Sequence, residues 1–169
     1  MLRAAFAAAL LLLYGCEADT QPAPPAAALE LTGRVVDAAD LFEPGFEAML
    51  TQKLASLEEE TLVQLVVATT PDLKGSDIAD YSRDLGNAWG IGDARRNDGL
   101  LLVIAPSERK VRIEVGLGLE ELVKDEEASA IIQDSILPHF REGDYQAGVN
   151  AGVDGLIREV TPAQLKEAA

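Results

Sequence analysis

Cysteine and histidine are nearly absent. The 169 residues hold one of each, Cys16 and His139. One cysteine forbids a disulfide within the chain. A Ser–His–Asp triad would have to bring His139, which directly follows Pro138, to an activated serine and an acid, and no G-x-S-x-G elbow offers that serine. Positive charge is scarce as well. The 14 Lys and Arg face 29 Asp and Glu, a net charge of −15. The chain therefore lacks the cationic surface that releases phosphate counterions, and no nucleic acid partner is expected. The same balance opposes docking of the folded surface on anionic lipid. The glycine runs lack what nucleotide loops need. GIGDARRNDG has no P-loop lysine and hydroxyl, and VGLGLE lacks the dinucleotide spacing, so no nucleotide cofactor is expected. The apolar run Ala4 to Leu13 is too short for a permanent membrane span.

What is present is a globular composition. Hydrophobic residues make up 48%, enough for one packed domain at this length. The N-terminus reads as an address: Arg3 gives a positive start, Ala4 to Leu13 the apolar stretch, and Leu13-Tyr14-Gly15-Cys16 its end. This pattern resembles a bacterial lipoprotein signal with Cys16 as the lipid site. Tyr14 is bulky for its place there, and an ordinary secretory signal is the other reading. Residues 1–16 are expected to be the signal peptide. Residues 17–32 are expected to be a flexible tether, because Glu17 to Leu31 is rich in proline, alanine and acid. The folded domain is expected over 33–160, with 161–169 as a tail. The address implies export to the cell envelope and lipid anchoring to a membrane, on the periplasmic side or the cell surface.

Within the domain, strand and helix patterns alternate. Arg34 to Asp37 reads as a short strand. Pro44 suits a helix start, and Phe46, Met49, Leu50, Leu54 and Leu57 recur at helical spacing. Leu62 to Thr69 and Leu100 to Ala105 are continuous apolar strands, the kind covered by helices on both faces. Ser76 or Asp77 can cap a helix whose buried side is Ile78, Tyr81, Leu85 and Trp89. Val111, Ile113 and Val115 alternate with Arg112 and Glu114, so that strand belongs toward an edge. Asp125 opens another helix, which Pro138 kinks or divides. Gly143 closes it and Asp144 opens the last one. The pattern predicts an α/β fold: a three-layer α/β/α sandwich with a mixed, mostly parallel sheet containing one antiparallel hairpin.

The hairpin joins Leu100–Ala105 to Lys110–Val115 through Pro106 to Arg109. It should bring Asp93, Asn97 and Asp98, before the first strand, beside Gly116, Gly118 and Glu120, after the second. Asp37 and Asp40 follow the opening strand. Carboxylate, amide and backbone oxygens of this kind suit hard divalent cations. Three other readings stand beside that one. In the first the aspartates only cap and turn loops, in the second Arg95 and Arg96 neutralise the cluster, and in the third Gly116 and Gly118 simply turn the chain.

Four stretches resemble the TPM domain family: VVDAADLF at Val35 to Phe42, WGIGDARRNDGLLLVIA at Trp89 to Ala105, RKVRIEVGLGLE at Arg109 to Glu120, and ILPHFREGDYQAGV at Ile136 to Val149. The resemblance spans about residues 31–160 and implies the same class of fold. It also implies calcium binding or phosphatase activity, with Asp37, Asp98, Gly116 and Glu120 at the family's recurrent positions. Asp40, Asp93 and Asn97 are added from the hairpin geometry. Two functions follow as expectations. The first is an envelope-tethered accessory module that binds a divalent cation (calcium, with magnesium the other candidate) and an unidentified envelope protein. The second is a metal-assisted phosphatase acting on phosphate monoesters. There Asp37 or Asp98 would hold the metal and Arg95, Arg96 or Arg109 would clamp phosphate oxygens.

Overall fold

The structure is a computed structural model and describes residues 29–161. The signal segment, Cys16, most of the segment read as a tether and the last eight residues lie outside them. The order of elements is β1 (Val35–Asp37), α1 (Pro44–Thr61), β2 (Gln64–Thr69), α2 (Ile78–Trp89), β3 (Gly99–Ala105), β4 (Lys110–Val115), a 3₁₀ turn (Leu117–Leu119), α3 (Asp125–Ala130), a π-helical segment (Ile131–Ile136), α4 (Leu137–Arg141) and α5 (Tyr145–Val160).

The four strands form one sheet in the order β1-β2-β3-β4. The first two pairings are parallel and the third, the hairpin, is antiparallel. Strand alternation divides the core in two. Leu65, Val67, Leu100, Leu102 and Ile104 face α1, α5 and the α3–α4 stretch, whereas Val66, Ala68, Leu101, Val103 and Ala105 face α2. Helices on both faces explain why every β3 residue is buried. The architecture is the expected three-layer sandwich.

Local chemistry sets the element ends. Pro44 opens α1 with no side-chain cap. Leu50, Leu54 and Leu57 are its buried stripe, each contributing about 1.5–3 kcal/mol. Met49, expected on that stripe, is 42% exposed, because it lies one residue off the 3.6-residue period. Leu62, expected to begin a strand, instead ends α1 with a left-handed backbone, φ 64°, and its N–H donates to the Glu58 carbonyl. Asp77 caps α2 by accepting from Ala79 N–H, and Asp144 caps α5 by accepting from Ala147 N–H.

The Pro138 region is not a simple kink. Six residues before it take the wider π turn, and α4 starts with proline in its first turn. Across from this stretch, a β-carbon on Gly152 would stand 2.5 Å from Ile136 Cδ1, so the glycines of α5 admit the large side chains of the neighbouring helix. Both ends of the described chain lie at one end of the sheet. Trp89 Nε1, at the end of α2, donates to the Leu29 carbonyl (2.9 Å). The α5 helix starts beside the carboxyl end of β3 and runs away from it, against the incoming α3–α4 stretch. No described helix is long and apolar enough to cross a membrane.

Candidate functional site

The hairpin register pairs Leu100 with Val115 and Ala105 with Lys110. This brings the loop before β3 onto the turn after β4. Gly116 N–H donates to the Gly99 carbonyl (2.8 Å), and Gly118 N–H to the Asn97 carbonyl (3.0 Å). β-Carbons at Gly116 and Gly118 would collide with the carbonyl oxygens of Asn97 and Arg96, so glycine is required at both for the approach itself. Asn97 sits at φ 51°, a left-handed conformation that asparagine tolerates.

Asp98 is the buried carboxylate of this end, 7% exposed. One oxygen accepts from Asp93 N–H (2.8 Å), and the other from the Arg96 guanidinium. Burial works to raise its pKa. The Asp93 amide and the Arg96 guanidinium together outweigh burial, and the carboxyl is held below its ordinary range. Arg96 is pushed up by the same bond to Asp98. Asp93 folds back on its own loop, accepting from Arg95 N–H (2.9 Å) and Arg96 N–H (3.2 Å). Its carboxylate also lies 3.8 Å from Arg95 Nε and 3.7 Å from Arg96 Nη1. Glu120 is exposed and lines a cleft of about 330 Å³ with Asn97, Gly116, Leu117 and Arg83.

Asp37 and Asp40 are elsewhere. In parallel strands, Asp37 registers with Thr69, and Thr69 with Ile104. Asp37 therefore lies at the carboxyl end of the sheet, one full strand length from Asp98. It accepts from Phe42 N–H (2.8 Å) and from the Thr69 hydroxyl, whose oxygen also takes Ala39 N–H. It thus braces the turn before α1. Asp40 is exposed on that turn at φ 54°. The six carboxylate and amide candidates therefore do not form one ligand shell. Among the described residues no group of three or more His, Cys, Asp or Glu is placed to hold a metal ion. The three arginines separate too: Arg95 and Arg96 serve the Asp93–Asp98 loop, while Arg109 is at the opposite end.

A second concavity, about 750 Å³, opens at the carboxyl end of β3 between the hairpin turn and the α4–α5 corner. Its wall includes Pro106, Arg109, Lys110, Leu137, Phe140, Arg141, Glu142 and Tyr145. Phe140 and Tyr145 meet with ring centroids 4.9 Å apart. Leu137 to Tyr145 fall in one of the four family-like stretches and Pro106 and Lys110 in the predicted hairpin, but Arg109 alone reads there as a binding residue. The available signal was the run Pro138-His139-Phe140-Arg141, in which a helix breaker precedes an aromatic and a cation.

The fold and parts of the sequence recur in solved structures. The N-terminal domain of a protein from P. gingivalis is 33% identical, with a TM-score of 0.71 over 81% of this chain and 87% of that one. The N-terminal domain of the cg2496 protein from Corynebacterium glutamicum (15% identity, TM-score 0.61, 78% and 82% covered) shares the fold. So does the BA42 protein from the psychrophilic bacterium Bizionia argentinensis (16%, 0.62, 73% and 82%). No curated protein matches the chain. The TPM domain matches residues 35–159, which run from the first residue of β1 to the last turn of α5, and on that span the chain belongs to the TPM domain family.

Proposed function

We propose that the domain is an accessory, protein-interaction module of the cell envelope, held to its membrane by lipid on Cys16, and that its acidic end binds a divalent cation, calcium before magnesium. Leu117 is the observation that supports the reading. Its side chain is 73% exposed on a turn fastened to Asn97 and Gly99 by two backbone hydrogen bonds. An apolar side chain held out on a rigid turn, with exposed Glu120 and Leu122 beside it, suits an apolar pocket with a polar rim on an envelope protein. The cation belongs to the Asp93–Asp98–Glu120 end alone. It has to displace Arg96 from Asp98 to reach that carboxylate, and Asp37 and Asp40 take no part.

Retention of envelope proteins from a membrane extract, with and without chelator, tests the module. Leu117→Glu is expected to lose the retained protein. Equal retention by both forms removes Leu117 from the interface. Calcium titration followed by amide NMR tests the cation. Shifts should concentrate at residues 93–98 and 116–120, and silence at millimolar calcium ends that part of the proposal.

A metal-assisted phosphatase is the second reading. The position of Asp37 and Arg109 at the same end of the sheet favours it, whereas Arg96 is bonded to Asp98 and Arg95 is at the other end. Hydrolysis of an aryl phosphate that disappears in Asp37→Asn supports it. Activity equal in both proteins belongs to a contaminant.

A further inference from the structure

We infer that the concavity at the carboxyl end of β3 binds a small organic anion, an oxyanion head carried on an apolar body. This goes beyond the interaction module and lies at the other end of the sheet; it shares Arg109 with the phosphatase reading, but it asks no catalysis and no Asp37 of the ligand site. The first argument is charge. In a chain of net charge −15, Arg109, Lys110 and Arg141 converge on one concave surface that has a single carboxylate, Glu142, in its wall. Most cations of the domain are neutralised where they stand: Arg34 holds Glu58, Lys53 holds Asp154, Arg83 holds Asp80 and Arg96 holds Asp98. Lys110 has only a distant partner, Asp77 at 3.8 Å. Arg109 and Arg141 form no ion pair among the described residues. Two guanidinium groups with free donor edges are the side chains best suited to grip an oxyanion.

The second argument is strain. Arg109 closes the hairpin turn at φ 55°, with its N–H on the Pro106 carbonyl (3.1 Å). Glycine takes that conformation without cost, and an L residue does not. Asp40, Leu62, Lys74 and Asn97 share a positive φ, but of the five only Arg109 stands in the wall of this concavity. The third argument is the helix geometry. The π segment from Ile131 to Ile136 leads directly into α4, whose Leu137, Phe140 and Arg141 line the concavity at the strand ends. Single π turns recur where a helix is adjusted to serve a site. Leu137, Phe140, Tyr145 and Pro106 supply the apolar wall for the body of the ligand. The volume is that of a small-molecule pocket.

Phenylphosphonate, which carries both parts and cannot be hydrolysed as an ester, is the probe. Titration of the isotope-labelled full chain should shift amides of residues 104–110 and 137–145 and leave 93–98 unmoved. Arg141→Gln and Arg109→Gly should each weaken binding about tenfold. Arg109→Gly should at the same time raise the melting temperature, because it removes the strained backbone, so weaker binding in that variant cannot come from unfolding. Inorganic phosphate and benzyl alcohol should each bind more weakly than the probe. Absence of shifts at millimolar probe, affinity unchanged in both variants, or inorganic phosphate binding as tightly as the probe overturns the inference.

Discussion

Gly118 leaves no room for a side chain between itself and Arg96: a β-carbon there would drive into the Arg96 carbonyl oxygen, a backbone atom that cannot rotate away. The acidic end of the sheet is held together by this contact and by the Gly118 N–H bond to Asn97. Gly118→Ala is therefore expected to cost about 1–3 kcal/mol, as overpacking does in a tight site. The urea midpoint should fall, and hydrogen exchange should quicken at residues 93–98. A midpoint equal to the wild type would mean that the two loops separate freely.

Asp98 makes the domain sensitive to acid. Its folded pKa lies below the unfolded value of about 3.9, so its contribution is complete above that value and is lost as pH falls through the folded one. Unfolding midpoints should decline as pH drops below about 4, and Asp98→Asn should flatten that decline. Identical pH profiles for the two proteins would show that the carboxylate is not coupled to folding.

Leu62 ends α1 in a conformation that suits glycine, and 60% of it is exposed, so little packing is lost when it is removed. Leu62→Gly is expected to stabilise by about 0.5–1 kcal/mol. A lower melting temperature would show that Leu62 packs more than its exposure implies.

Gly152 and Ile136 form a matched pair across the helices. Gly152→Ala should cost about 1–3 kcal/mol, because its methyl would meet Ile136 Cδ1 and Cγ1. Ile136→Ala should cost about 2–5 kcal/mol by leaving a cavity at a fully buried position. The double variant should cost less than the two single costs together, since the new methyl enters the space the isoleucine vacates. Strict additivity would place the strain elsewhere.

The strands were legible because helices cover both sheet faces, which leaves β2 and β3 as unbroken apolar runs, and the hairpin followed from its short Pro106–Arg109 link. The caps at Asp77 and Asp144 and the edge position of β4 were equally readable, since each depends on neighbours a few residues away. The grouping of Asp37 with Asp98 was misleading. Asp37 is the last residue of its strand and Asp98 precedes its own, so in parallel strands the two lie at opposite ends of the sheet. The π segment left no mark in the apolar spacing, since one extra residue per turn keeps Ile131 and Ile136 buried. The basic concavity was hidden for another reason. Arg109 and Arg141 are thirty-two positions apart, and only the α4–α5 corner brings them together.

Leu29 enters the fold at the end where α5 also finishes. The described chain therefore begins and ends on the side of the sheet that carries the Asp93–Asp98 loop. Arg109 and Arg141 lie at the opposite end, a strand length away. One rigid sheet thus separates an acidic rim, beside both ends of the described chain, from a basic hollow remote from them.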